Sequence, residues 1–312
     1  MKWVRGLVGV LSLSLMAACG NEQADDVSED NPLNVVATTS MIADLMEIVG
    51  GENVTVSGLM GPGVDPHDYQ PSTSDVNTMT EADLIAYNGL MLEERFVEVF
   101  EQMDQRGVPS VIMADALNET ELLDPEEGEE DLEYDPHIWF SVSHWEAVTS
   151  HVADVLSEMD PDNEGYYQDN ADTYLSELDE LRTYIEERIE EVPEQSRYLV
   201  TAHDAFQYFG EEFDFEVIGL QGLNTQTEAG TGDISNLADF LVDNEINAVF
   251  VESSVSPRNI EALIEAARSR GHDVENAGEL YSDALGSAEE DADTYLKMYR
   301  SNIDTIVDGL AN

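Results

Sequence analysis

The sequence predicts an α/β molecule of two lobes, each with a mostly parallel sheet flanked by helices, joined by one long backbone helix. Three observations predict it. Short β-rich runs alternate with stretches of helical spacing, the pattern of parallel β-α-β units. Leu175, Leu178, Leu181, Ile185, Ile189 and Val192 then form a single apolar stripe that continues until Pro193. Beyond that proline the strand and helix alternation begins again. The chain has 312 residues, room for two cores of roughly 150 residues each.

In chain order, Lys2 and Arg5 make a short basic head before an uncharged apolar run over residues 6–16, and Ala17-Ala18-Cys19 follows. An apolar core this short is a signal-peptide segment and not a membrane span. The cysteine stands just after small residues, where cleavage is permitted. This resembles the lipobox of bacterial lipoproteins and implies lipidation at Cys19. We therefore expect a lipoprotein signal peptide over 1–18 and a polar, acidic tether over 19–32. No later segment has transmembrane length.

The N-terminal lobe is expected over 33–168. Its strands are read at residues 34–40, 54–60, 83–89 and 110–113, with helical spacing over 41–49 and again over 143–158. Residues 118–134 hold nine carboxylates, with Pro125 and Gly128, and read as an exposed loop. The connecting helix is placed over 169–195. The C-terminal lobe, 196–312, has strands expected at 198–201, 216–219 and 248–252, and a weaker one near Val274. A cleft between the lobes would face the C-terminal ends of the strands, the usual ligand position in open α/β sheets.

Charge narrows the function. There are 68 Asp and Glu against 12 Lys and Arg, a formal net charge of −56. A nucleic-acid partner is excluded, because so few cations cannot build the basic face that phosphates require. A disordered acidic tail is excluded too, since 42% of the residues are hydrophobic. The single cysteine rules out a disulfide framework and a Cys-rich zinc module. The charge is far beyond the magnitude of about 2 to 8 suited to a small domain. Self-repulsion of that size is relieved only when salt shortens the Debye length, so the surface is read as halophilic. Cleavage before Cys19 would remove Lys2 and Arg5 and no acid, taking −56 to −58.

Of the six histidines, two share a frame, Asp65-Pro66-His67 and Asp135-Pro136-His137. The residue before a proline is pushed out of the helical region, so both imidazoles sit on loops. His203 is read as following its strand directly, with Asp204-Ala205-Phe206 opening a helix. Three loop histidines can converge in one cleft, and neutral imidazole is a good ligand for first-row metals. His144 and His151 lie two turns apart on one helix, about 10.5 Å, too far to share an ion, and are read as structural. His272 is read as solvated. Spacing does not select a fourth ligand from 68 acids.

The motifs 64–72 (VDPHDYQPS), 135–139 (DPHIW), 201–206 (TAHDAF), 251–255 (VESSV) and 278–284 (GELYSDA) stand in one order. In that order they resemble the cluster A-I metal-binding lipoproteins, the solute-binding subunits of manganese and zinc ABC importers. The likeness runs from about Val35 to the C-terminus. It implies His67, His137, His203 and Asp283 as the metal ligands, two from each lobe, with Glu252 as a buried supporting acid and the site in the interlobe cleft. It also implies a membrane permease as partner, a lipid-anchored extracytoplasmic location and a monomer. Many manganese-specific relatives have glutamate where His203 stands, and zinc-specific ones usually carry a histidine-rich loop, which residues 118–134 lack. The sequence is thus read with the three-histidine subgroup that takes Mn²⁺ or Zn²⁺, as transported ligand and not as catalytic cofactor. No enzymatic activity is expected. The alternatives are a zinc metallohydrolase using the same three histidines, or a surface adhesin.

Overall fold

The computed structural model describes residues 32–125 and 132–311. The expected signal peptide, Cys19 and all of the tether except Pro32 lie outside the described residues. Strands β1 (Leu33–Ala37), β2 (Val54–Gly58), β3 (Leu84–Tyr87) and β4 (Ser110–Ile112) form one parallel sheet in the order β2-β1-β3-β4. The chain leaves β1 on one side and crosses to the other for β3. The sheet therefore has its switch point between the C-terminal ends of β1 and β3, where ligands bind in open α/β sheets.

Local chemistry sets the helices around it. Helix α1 (Ser40–Gly50) starts where the Thr39 hydroxyl accepts from the Ile42 N–H at 3.4 Å, one residue earlier than the sequence suggests. Its buried Met41, Ile42, Leu45, Met46 and Val49 follow the helical period. Helix α2 (Thr73–Thr80) opens on a capping box of Ser72 and Asp75. Helix α3 (Val97–Arg106) stops at Gly107, whose φ of 79° is left-handed. Helix α4 (Val142–Met159) matches the expected 143–158.

The long helix, expected over 169–195 as the connection between lobes, is α5 (Glu164–Ile189), 26 residues long. It begins earlier because its first-turn N–H groups have no helical partner in any case, so Gly165 costs little there. It ends earlier because Pro193 pushes Val192 out of the helical region. Tyr167, Ala171, Tyr174, Leu178, Leu181, Ile185 and Ile189 form its buried stripe. They share an apolar core with β1, α1 and α4. Each large aliphatic side chain in it contributes about 1.5–3 kcal/mol of transfer free energy.

After α5 come β5 (Tyr198–His203), α6 (Gln207–Phe213), β6 (Glu216–Gln221), α7 (Thr231–Asp243), β7 (Ala248–Glu252), α8 (Arg258–Ser269), β8 (Glu275–Leu280) and α9 (Tyr295–Leu310). The single sheet expected here is two parallel ladders, β5 with β6 and β7 with β8, with β5 lying beside β7. At their C-terminal ends the two ladders are joined by a side chain, since the His203 N–H donates to Glu252 Oε1 at 2.8 Å. His203 is thus the last residue of β5 and not a loop residue, and α6 begins at Gln207 and not at Asp204. Among the described residues, no helix is long and apolar enough to cross a membrane.

Candidate metal centre

His67 follows β2, His137 follows the loop after β4, His203 ends β5, and Asp283 comes three residues after β8. All four point to one place at the C-terminal ends of the strands. One ligand atom from each lies within 4.8 Å of the others. His67 Nε2 and His137 Nε2 are 3.2 Å apart. Asp283 Oδ1 is 3.6 Å from His137 Nε2, and Asp283 Oδ2 is 3.3 Å from His203 Nε2 and 4.0 Å from His67 Nε2. Each residue is at most 1% exposed. A tetrahedral ion with ligands at about 2.0–2.1 Å needs donor separations of about 3.3–3.4 Å. The set is close to that size already.

The ring orientations fit the same chemistry. Asp135 Oδ1 lies 2.7 Å from His137 Nδ1 and also accepts from the His137 N–H at 2.9 Å. Glu252 Oε2 lies 2.5 Å from His203 Nδ1. A carboxylate on Nδ1 fixes that nitrogen as the donor and leaves Nε2 as the basic ligand atom. His203 Nε2 and Asp283 Oδ1 are buried and have no hydrogen-bond partner, the Asp283 oxygen beside His203 Nε2 being poorly aligned for one. Buried polar atoms are nearly always paired. Two unpaired ones within a ring of three imidazoles fit a cation.

Burial and neighbours split the ionisation of the four groups. Burial drives the His67 imidazole down to about 3, opposed by Asp283 and reinforced by His137 and His203. Burial also disfavours the charged form of His203, but Asp283 and Glu252 outweigh it and hold its pKa well above the ordinary value. Burial opposes ionisation of Asp283, and the three histidines, His203 first, hold its carboxyl far below the usual range. Asp65 is pushed up by burial and by the charge of Asp283.

Sequence reasoning named the four converging residues and Glu252 and missed the residues that hold them. The sequence marks Asp135 only as a member of the shared Asp-Pro-His frame, yet it reaches the His137 ring. Trp139 Nε1 donates to the Ser282 carbonyl at 3.0 Å, and the Ser254 hydroxyl lies 2.9 Å from that of Ser282 and 3.4 Å from Asp283 Oδ2. Both sit inside the motifs singled out above, which was the available signal. His144 stands apart, its ring 5.1 Å from Tyr208, and His151 is half-buried on α4. His272, expected to be solvated, is half-buried and its Nε2 lies 2.6 Å from the Ile246 carbonyl.

Residues 35–309 match the family model described as zinc-uptake complex component A, periplasmic. The chain is 41% identical over 308 residues to the manganese-binding lipoprotein MntA of Bacillus subtilis, covering 98% of this chain and 99% of that one. It is 42% identical over 287 residues to the zinc-binding protein TroA of Treponema pallidum, covering 92% and 91%. The solved structure of the periplasmic zinc-binding protein TroA superposes with a TM-score of 0.86 at 41% identity, covering 90% of this chain and all of that one. A manganese-bound periplasmic metal-binding protein from Candidatus Liberibacter asiaticus superposes at 0.78 with 27% identity, covering 89% and 99%.

Proposed function

The chain belongs to the periplasmic zinc-uptake component A family, and from that premise we propose that it captures Mn²⁺ or Zn²⁺ outside the cytoplasm and delivers it to the permease of an ABC importer. The observation that carries this reading is the buried convergence of His67, His137, His203 and Asp283. In it the four residues are the metal ligands, while Asp135 and Glu252 orient two of the rings. Four protein donors, among them pairs 3.2–4.0 Å apart, would close to a tetrahedral set with small shifts, which suits carriage. Zinc hydrolysis would instead use three donors and a bound water.

Three nitrogens and one carboxylate suit zinc, which also outranks manganese in intrinsic affinity. The metal-binding relatives named above include both a manganese and a zinc protein at nearly equal identity, so identity does not decide between the ions. Several relatives are named lipoproteins, which supports lipidation at Cys19 and an extracytoplasmic, membrane-anchored location. The ligands divide in pairs between the proposed lobes, His67 and His137 in 33–168 and His203 and Asp283 in 196–312. The protein acts as a monomer, and its surface is adapted to high salt. Metal analysis of protein purified without added metal, followed by Mn²⁺ against Zn²⁺ competition, tests the function. One tightly held ion per chain is expected. Failure to bind either ion would overturn the reading.

A further inference from the structure

Two of the three histidines are held by carboxylates on their rings, and the third is not. Asp65 stands in the same Asp-Pro-His frame as Asp135, but its Oδ1 accepts from the backbone N–H of His67, at 2.8 Å, and not from the ring. His67 is therefore fixed through its main chain. Both ends of that fixing lead to one short segment after β6. The Thr225 hydroxyl donates to Asp65 Oδ2 at 2.5 Å. The Gln226 side-chain amide donates to the His67 carbonyl at 2.9 Å and to Glu94 Oε2 at 3.0 Å. Its oxygen accepts from Arg95 Nη2 at 2.7 Å, and the same nitrogen reaches Asp68 Oδ1 at 3.2 Å. Arg95 is one of only 12 basic residues in the chain, and it is placed against the residue next to the first ligand.

We propose that Thr225 and Gln226 are positioning residues that hold His67 in ligating register from the far half of the chain, and thereby set how fast the metal leaves. The proposal rests on the metal-carrier reading above. Its physical content is that the first ligand and the seam between the two halves are one structure. When the 225–226 segment withdraws, the His67 carbonyl loses its partner, Asp65 loses the hydroxyl that anchors its hold on the His67 N–H, and the ring loses its aim. While the segment stays in place, His67 is held in step with His203 and Asp283. A residue that orients a ligand without touching the ion is commonly worth about ten-fold to a hundred-fold in metal affinity.

The test is Zn²⁺ release from the full chain into excess chelator, followed by stopped flow. Thr225→Val removes the hydroxyl at constant shape, and Gln226→Leu removes the amide. Each should speed release by about ten-fold, and Thr225→Ser should restore the original rate. In a His67→Ala background, Thr225→Val should add no further acceleration, because the ligand it acts through is gone. Gln226 is exposed, so its variant carries the test even if the Thr225 variant folds poorly. Unchanged release in both variants would overturn the proposal, as would an acceleration that persists without His67. An unsubstituted chain that fails to retain Zn²⁺ is a different result: it removes the metal-carrier reading and the clasp with it.

Discussion

At the scale of single residues, the three imidazoles are not equivalent. In the proposed site, a metal must displace a proton from His203, whose pKa Asp283 and Glu252 hold well above the ordinary value against the effect of burial. His67, pressed down to about 3 by burial, is already neutral near pH 7. Three unperturbed imidazoles, with pKa about 6.5, would give an affinity that is flat at neutral pH and falls steeply below it. This site should behave otherwise. Metal and proton compete for Nε2 of a group whose pKa is raised, so affinity falls with pH everywhere below that raised value. Zn²⁺ affinity should therefore keep rising with pH beyond the range where a free imidazole is already neutral, with proton release on binding. A competition titration that is flat from about pH 7 to 8 would contradict it. Substitutions should separate the site from its surroundings as sharply. His67→Ala, His137→Ala, His203→Ala and Asp283→Ala should each weaken Zn²⁺ binding by about a hundred-fold or more, Asp135→Asn and Glu252→Gln by about ten- to a hundred-fold. His144→Ala and His151→Ala should leave it unchanged in calorimetry, because neither belongs to the buried group of four.

At the scale of elements, the junction of α1 with α9 carries a charge that the fold disfavours. Asp44 on α1 accepts the N–H of Tyr295, the first residue of α9, at 2.9 Å. Burial lifts its pKa from an ordinary 3.8 to about 6, opposed by that hydrogen bond and assisted by Glu47 and Asp293. The folded state thus binds this proton more tightly than the unfolded chain does. The carboxylate costs stability above pH 6, and the cost fades as pH falls towards 4. Asp44→Asn keeps an acceptor for Tyr295 and removes the charge. It should stabilise the protein by about 2 kcal/mol at neutral pH and by almost nothing near pH 4. Denaturant melts of both proteins at the two pH values decide it, and equal differences at both would contradict it. Such a group is invisible to sequence reading, because nothing marks one acid among 68 as facing a buried helix start. Elements with apolar runs were legible: β1, β3 and β7 bury most of their residues. Strand β8 was faint because only Leu280 of its six residues is buried. The first turn of α5 was missed because Glu164, Gly165 and the exposed Tyr166 contribute nothing to the apolar stripe that begins at Tyr167. The four site residues were legible through ordered motifs. Asp135 was not, since the identical frame at Asp65 places its carboxylate on the backbone of His67 and not on the ring.

At the scale of the whole molecule, the scarce cations gather on a few acidic neighbours and leave most of the negative charge unpaired. Arg188 meets Glu191, Asp304 and Asp308, Arg182 meets Glu146 and Glu212, and Lys297 meets Asp291 and Asp293. Exposed pairs such as those of Lys297 contribute about 0–1 kcal/mol each, and the half-buried ones of Arg182 are too few to offset the mutual repulsion of a chain at −56. The metal-free protein should therefore melt low in dilute buffer and rise as salt is added. Screening is nearly complete once the Debye length reaches about 3 Å at 1 M, so most of the gain should come well below molar salt. Any further rise reports preferential hydration and not screening. Bound metal should add a separate increment, because it favours the folded state by mass action. The four proposed ligands are shielded from bulk ions by burial, so this increment should change less with salt than the metal-free stability does. Melting temperatures with and without Zn²⁺ across a salt series separate the two contributions. A metal-free melting temperature that is the same in low and molar salt would defeat the high-salt reading of the surface. A metal increment that collapses in parallel with screening would show instead that the surface field, and not the buried donors, holds the ion.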